Sequence, residues 1–316
     1  MNTNALNPSP PLGLGIAYAL AAGCMWGLVF VAPALLPEYS PAALSFGRYL
    51  AFGVVALVLA VPDRARLYAL RRADWVEAFK LALVGNIIYY LFLSAAIQLA
   101  GVPLASVLIG TLPVVIAVCA NWQDKKQGNN LPWSRLLPSL VLIGAGIGLV
   151  NHAESAALPA GTGGNYAIGS ALALVAVAAW TWYPIRNAQW LKKHPHLSAT
   201  TWTTAQGLAT LPLALGGWLV VGLWQYGGMM GLGERPAFFV LLMLAMGLFA
   251  SWGGTLAWSR ASKLLPTSLT GQLIVFETLA ALTYGFVLRG QIPEWTTSAG
   301  ILLLVMGVVM GVRAFR

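Results

Sequence analysis

Ten stretches of about twenty mostly apolar residues, parted by short polar gaps, constrain this chain more than any other feature. They lie near residues 13–35, 41–61, 76–99, 103–121, 133–151, 166–187, 198–224, 237–259, 265–288 and 295–313. Wound as a helix, a stretch of that length crosses the roughly 30 Å hydrocarbon core of a bilayer. Only 9% of the 316 residues are charged and 59% are hydrophobic, whereas a soluble chain carries about a quarter charged residues. Such a chain cannot clothe itself in a water-facing surface. It is predicted to be an all-α membrane protein with ten transmembrane helices.

The charges sit in the gaps, so the net charge of +9 does not point to nucleic acid. Sorted by side, fifteen Lys and Arg fall with the two termini and the loops after spans two, four, six and eight. Only Arg235 and Arg289 fall on the other side, and Arg48 lies inside span two. Positive charge marks the cytoplasmic face, which predicts a multi-pass protein of the bacterial inner membrane with both termini cytoplasmic. Residues 1–12 are expected to be a disordered tail. They contain no Lys or Arg, unlike a secretory leader, so the stretch from Gly13 to Leu35 reads as a retained first helix. The two cysteines, Cys24 and Cys119, lie within apolar runs and form no CxxC or metal-ligand spacing. Neither a disulfide framework nor a metal site is predicted, and no cofactor.

The halves echo one another. Residues 15–31, GIAYALAAGCMWGLVFV, align without gaps on 169–185, GSALALVAVAAWTWYPI, and Trp26 meets Trp180. Span three carries Asn86, Tyr90, Ser94 and Gln98 four residues apart, and span eight carries Ser251, Thr255 and Ser259 at the same interval. These strips suit either a cavity wall or ordinary hydrogen bonding between helices. Two units of five spans each must insert with opposite orientations, because five is odd. That is the inverted repeat common in secondary transporters, whose sites lie near the midplane between the halves. The expected division is 13–151 for the first five-helix repeat, 152–165 for a linker, 166–313 for the second repeat and 314–316 for a tail. Tight hairpins are expected at Pro41, Gly101-Val102-Pro103 and Pro266.

Three motifs in order give the chain a family likeness. Trp26-Gly27-Leu28-Val29-Phe30 resembles a Trp-Gly-x-x-Phe pattern. Arg48-Tyr49 in span two resembles an Arg-Phe/Tyr pair. Ala105-Ser106 followed by Leu112-Pro113-Val114 resembles an Ala-Ser…Leu-x-Pro-Val stretch. On ten spans, this pattern is similar to the drug/metabolite transporter superfamily in its EamA-like branch, and more loosely to YddG-type amino-acid exporters. The likeness implies two EamA repeats, a central cavity and alternating access, with export of amino acids or other metabolites. One departure stands out: with span four laid on span nine, an acid, Glu277, stands near the place of Pro113. Whether span nine bends as span four does is left open.

Glu277 is the residue that most needs a reason. A carboxylate at that depth costs about 2.5–3.5 kcal/mol on insertion scales. Its helical neighbours include Thr270, Ala280, Ala281 and Tyr284, a face suited to a cavity wall or a close helix contact. It reads as a contact for a substrate amine, as a proton-coupling group, or as a neutral carboxyl bonded to a neighbouring helix. Gln272, five residues away, lies about 140° around the helix and cannot share its target. Arg48 reads as a structural residue, snorkelling to a boundary or partnering a group within its own half. The candidate substrate-binding set is Trp26, Asn86, Tyr90, Ser94, Thr111, Trp180, Trp252, Thr255 and Glu277, with Arg48, Pro113 and Pro184 in structural or gating roles. Trp122, Trp133, Trp190, Trp224 and Trp295, at span ends, read as interface belt. Gly144xxxGly148 and Gly307xxxGly311 would let spans five and ten pack closely. A homodimer has no support in the sequence.

The prediction is a secondary transporter of small metabolites, an exporter of amino acids including neutral or aromatic ones. The alternative cargo is a cationic drug or another metabolite. An intramembrane enzyme fits less well, since His152, His194 and His196 lie in or near loops and no Ser–His or Asp pair appears within the spans. A scaffold would not need the duplication. No GxxxxGK[ST] loop is present to drive a pump.

Overall fold

The computed structural model describes residues 12–125, 132–156, 166–225, 232–290 and 292–314. Nine of its helices are long and apolar enough to cross a bilayer: Leu12–Pro33, Pro41–Tyr68, Arg72–Leu99, Trp133–Val150, Ala167–Lys193, Ala199–Trp224, Pro236–Leu264, Thr267–Leu288 and Trp295–Ala314. With the shorter apolar helix Leu112–Trp122, they match the ten expected spans. No strand occurs among the described residues. The expected tail 1–12 lies outside them except for Leu12, which already begins a helix. The expected linker is shorter at its front, because the helix Trp133–Ala156 runs on to residue 156; 157–165 lie outside the described residues. So do 315 and 316, while Ala314 closes the last helix.

Span four departs from expectation. The helix Tyr89–Ile109 continues through Gly101-Val102-Pro103 without forming the expected hairpin break. A proline removes one backbone donor, a loss that membrane helices tolerate. The interruption falls instead at Gly110 and Thr111, before the helix Leu112–Lys125. There the Thr111 hydroxyl donates to the Leu108 carbonyl at 2.6 Å and helps close the helix end. Pro113 then sits in the first turn of the next helix, where a missing N–H costs nothing. Span nine bends too, without a proline: Thr267–Leu273 ends, Ile274 turns, and Val275–Arg289 begins. Pro184, by contrast, lies inside an uninterrupted helix, Tyr166–Lys193.

Five features repeat between the halves. Spans three and eight each widen into a π-helical segment, Ala82–Ile88 and Met246–Gly253. The turn Pro37–Ser40 has the same backbone form as Pro195–Ser198. At the first turn Gln98 Nε2 donates to the Tyr39 carbonyl at 3.3 Å; at the second Lys263 Nζ donates to the Leu197 carbonyl. Gly146 of span five and Gly300 of span ten approach reciprocally. A Cβ on Gly146 would meet the Gly300 carbonyl oxygen at 2.6 Å, and one on Gly300 would meet that of Gly146 at 2.8 Å. Trp26 and Trp180 touch each other, as equivalent residues do on a two-fold axis. Equivalent spans are five apart in the chain, so they cross the membrane in opposite directions. The chain is an internal repeat of inverted sense.

The glycine motifs divide. Gly307 and Gly311 face span five, packing on Ile143 and Ser139. Gly144 and Gly148 face away, with nothing within 4 Å of an added Cβ, and Gly146 takes the contact they were expected to make. Trp122, Trp133, Trp224 and Trp295, expected as interface belt, are exposed. Trp190 instead packs inward on Trp202, with ring centroids 6.2 Å apart.

Candidate functional site

Between the halves, aromatic rings from four spans close on one another. Trp26 and Trp180 meet edge to face, with centroids 5.0 Å apart. Trp258 leans on Trp26 at 5.2 Å, Tyr89 stacks on Trp180 at 4.4 Å, and Tyr183 lies parallel to Trp180 at 5.1 Å. The π-helical widenings put Gly85 and Gly254 next to these rings. A Cβ at Gly85 would lie 2.1 Å from Tyr183, and one at Gly254 would lie 2.5 Å from Trp26 Nε1. Such widenings recur at functional sites, where the extra residue re-aims side chains.

Glu277 enters this cluster from the break in span nine. Its backbone N–H bonds the Ile274 carbonyl at 2.9 Å, which places it in the first turn of Val275–Arg289. A helix N-terminus stabilises a carboxylate. Span one is pressed against this turn through Gly23, where a Cβ would stand 2.8 Å from the Glu277 nitrogen. The side chain is only 4% exposed, and its Oε2 has no hydrogen-bond partner. The Trp180 indole N–H, also without a well-formed bond, faces the carboxyl.

Arg48 stands within electrostatic reach of Glu277. Its guanidinium lies over the rings of Tyr49 and Tyr90, 4.9 and 4.7 Å from their centroids. Its Nε donates to Ser251 Oγ at 3.0 Å, and its NH1 nitrogen has no partner. Arg48 therefore does not snorkel: it is buried, seated on two tyrosines of its own half and bonded to Ser251 of the other. The centre is packed shut rather than open: Trp26, Tyr89, Tyr90 and Tyr183 are all buried. A groove of about 380 Å³ lies elsewhere, at the rim of spans one, nine and ten, among Ile16, Phe276, Val305 and Arg313.

Both ends of the centre are tied across the halves. At one face, Arg235 grips Glu38 with two bonds of 2.6 and 2.9 Å and the Leu35 carbonyl with a third of 2.6 Å. The Tyr39 hydroxyl donates to the Leu232 carbonyl at 2.6 Å beside it. This pairing holds the exposed Glu38 carboxyl below its ordinary pKa. At the other face, Arg186 pairs across the halves with the buried Glu77, while Lys192 donates to Thr267 Oγ1 at 2.7 Å within the second half.

Comparison with known proteins gives this geometry a family. The family model described as the EamA-like transporter family matches residues 13–151. The inner membrane protein YtfF of Escherichia coli (strain K12) is 48% identical over 305 residues, covering 95% of each chain. The chain belongs to the EamA-like transporter family. A solved crystal structure of another protein superposes with a TM-score of 0.71, covering 94% of this chain and 95% of that one. At 16% identity it shows the shared fold alone.

Within this EamA-like fold, the predicted residues divide in two. Trp26, Trp180 and Glu277 meet at the centre, and Tyr90 joins through Arg48. Ser94 is buried beside Tyr90 with an unpartnered hydroxyl, and Thr255 is buried beside Tyr183. Asn86, Trp252 and Thr111 serve the frame. Asn86 Nδ2 donates to Thr210 Oγ1 at 3.0 Å, Trp252 Nε1 donates to Thr204 Oγ1 at 3.3 Å, and Thr111 caps the break in span four. Gln272 points away, as its angular offset required, with Ser139 donating to its Oε1 at 3.3 Å. Sequence reasoning missed Tyr49, Tyr89, Tyr183 and Trp258. Tyr183 follows Trp180 by three residues and Trp258 follows Thr255 by three, a spacing that shares a helix face. Tyr89 gave no such signal, since its burial beside Tyr90 depends on the π-helical turn before it.

Proposed function

We propose that the protein is a secondary transporter that exports neutral and aromatic amino acids across the bacterial inner membrane by alternating access. The observation that carries this reading is the buried Glu277 carboxyl, one oxygen unpartnered, set among aromatic rings on the axis between the repeats. A buried carboxyl that lacks a full set of bonds is costly. An ammonium group supplies the missing donors and the opposite charge, and the rings supply faces for an apolar or aromatic side chain.

The moving units are the repeats 13–151 and 166–313. Both termini lie in the cytoplasm, as the fifteen-to-two bias of Lys and Arg supports, and the Glu38–Arg235 tie then lies on the outer face. The description of the Escherichia coli relative as an inner membrane protein supports the location. Export to the outside requires that tie to open while the Arg186–Glu77 tie between the repeats holds. Glu277 also serves as the proton-coupling group, releasing its proton when the amine arrives.

The test is purified protein in liposomes with labelled neutral and aromatic amino acids, with and without a pH gradient. Saturable flux of at least one of them is expected, and absence of flux across the whole panel overturns the reading. A second cargo, a cationic drug, is favoured by the same carboxyl and ring faces. Competition by such cations without flux of any amino acid would select it.

A further inference from the structure

We infer that Arg48 is the carboxylate-recognising residue of the transport site, so that the substrate lies as a zwitterion between a cation from the first repeat and Glu277 from the second. This rests on the amino-acid reading above and deepens it. Arg48 is 5% exposed, yet among the described residues no ion pair joins it to any acid. Its Nε is fixed by Ser251 and its plane is held over the faces of Tyr49 and Tyr90. That leaves the buried NH1 nitrogen as a donor without an acceptor. Glu277 Oε2 is an acceptor without a donor in the same cluster.

Two opposite charges in one low-dielectric core attract strongly and normally collapse into a bonded pair. Here the Tyr49 and Tyr90 rings hold the cation and the Trp180 edge meets the acid, so the two stay apart. A ligand with a carboxylate at one end and an ammonium at the other completes both groups at once. An amine without a carboxylate completes only Glu277 and leaves Arg48 unsatisfied, which a buried site penalises.

The arrangement also ties recognition to closure. Turn for turn after the equivalent loops Pro37–Ser40 and Pro195–Ser198, the counterpart of Arg48 in the second repeat is the uncharged Gln206. Each repeat therefore contributes one pole of the site. A zwitterion joins the repeats, whereas an amine binds one of them only.

The experiment measures binding by intrinsic fluorescence of the purified full-length protein, with phenylalanine and with phenethylamine, which lacks only the carboxylate. Wild type is expected to prefer phenylalanine by about tenfold or more. Arg48→Gln is expected to erase that preference by weakening phenylalanine alone. Equal loss of both ligands, or an intact preference in the variant, overturns the role of Arg48 while leaving amino-acid transport standing. Wild type that binds neither phenylalanine nor any other neutral amino acid defeats both readings. If Arg48→Gln does not fold, Arg48→Lys serves instead. It keeps the charge but loses the flat seat on the tyrosines, so it should weaken phenylalanine yet retain the preference. A lysine variant that binds both ligands equally contradicts the inference.

Discussion

Glu277 shows how position within a helix makes a buried acid tolerable. The turn at Ile274 puts it in the first turn of a new helix, whose dipole favours a carboxylate, and Gly23 lets span one pack closely against that turn. If it couples protons, Glu277→Gln abolishes gradient-driven accumulation of a labelled amino acid in liposomes and spares downhill exchange. An unchanged gradient response in that variant removes the coupling role. Gly23 should be as sensitive. Gly23→Ala drives a methyl to 2.5 Å from the Phe276 Cβ, an overpacking that costs about 1–3 kcal/mol. Its thermal midpoint in detergent should fall, and transport with it. Gly144→Ala is the matched control: nothing lies within 4 Å of the new methyl, so it should leave the midpoint and the flux alone. The sequence marked Glu277 as exceptional because an acid in an apolar run has few explanations. It did not foresee that Arg48 also reaches Ser251, 203 residues away, a contact visible only once the halves are folded together.

Among the elements, the interrupted helices matter most, and they were the least legible. A break inside an apolar run leaves hydropathy unchanged, so Gly110-Thr111 and Ile274 produced no compositional trace. The π-helical segments in spans three and eight are equally silent. What did show was the spacing they serve: Asn86, Tyr90 and Ser94 against Ser251, Thr255 and Ser259. The loops after spans one and seven carry a further expectation. Because Arg235 holds the Glu38 carboxyl below its ordinary pKa, this tie is complete at neutral pH and above. It is lost as pH falls through that lowered value, when the carboxyl takes a proton. Nitroxide labels at Pro37→Cys and Glu234→Cys should report a short distance at neutral pH that lengthens in strong acid. Arg235→Gln should lengthen it at neutral pH as well. A distance indifferent to both changes would show that the pair holds nothing shut.

For the molecule as a whole, length and apolarity announced the spans, and their odd number per half announced the inversion. The reciprocal contact of Gly146 and Gly300, the meeting of Trp26 with Trp180, and the paired bonds of Gln98 and Lys263 give that inversion physical form. What the sequence could not reveal is that the centre is shut, because closure depends on how the two repeats lean together. Alternating access requires the shut centre to open to each side in turn. The most direct measurement uses Ser94→Cys, a near-isosteric probe buried beside Tyr90, in a Cys24→Ala/Cys119→Ala background. A membrane-impermeant thiol reagent should label it from either side of oriented vesicles. A disulfide between Glu38→Cys and Arg235→Cys, formed before labelling, should abolish the outer reaction and spare the inner one. Labelling from one side only, or labelling from outside that survives the disulfide, would contradict an inverted-repeat carrier with its site on the axis.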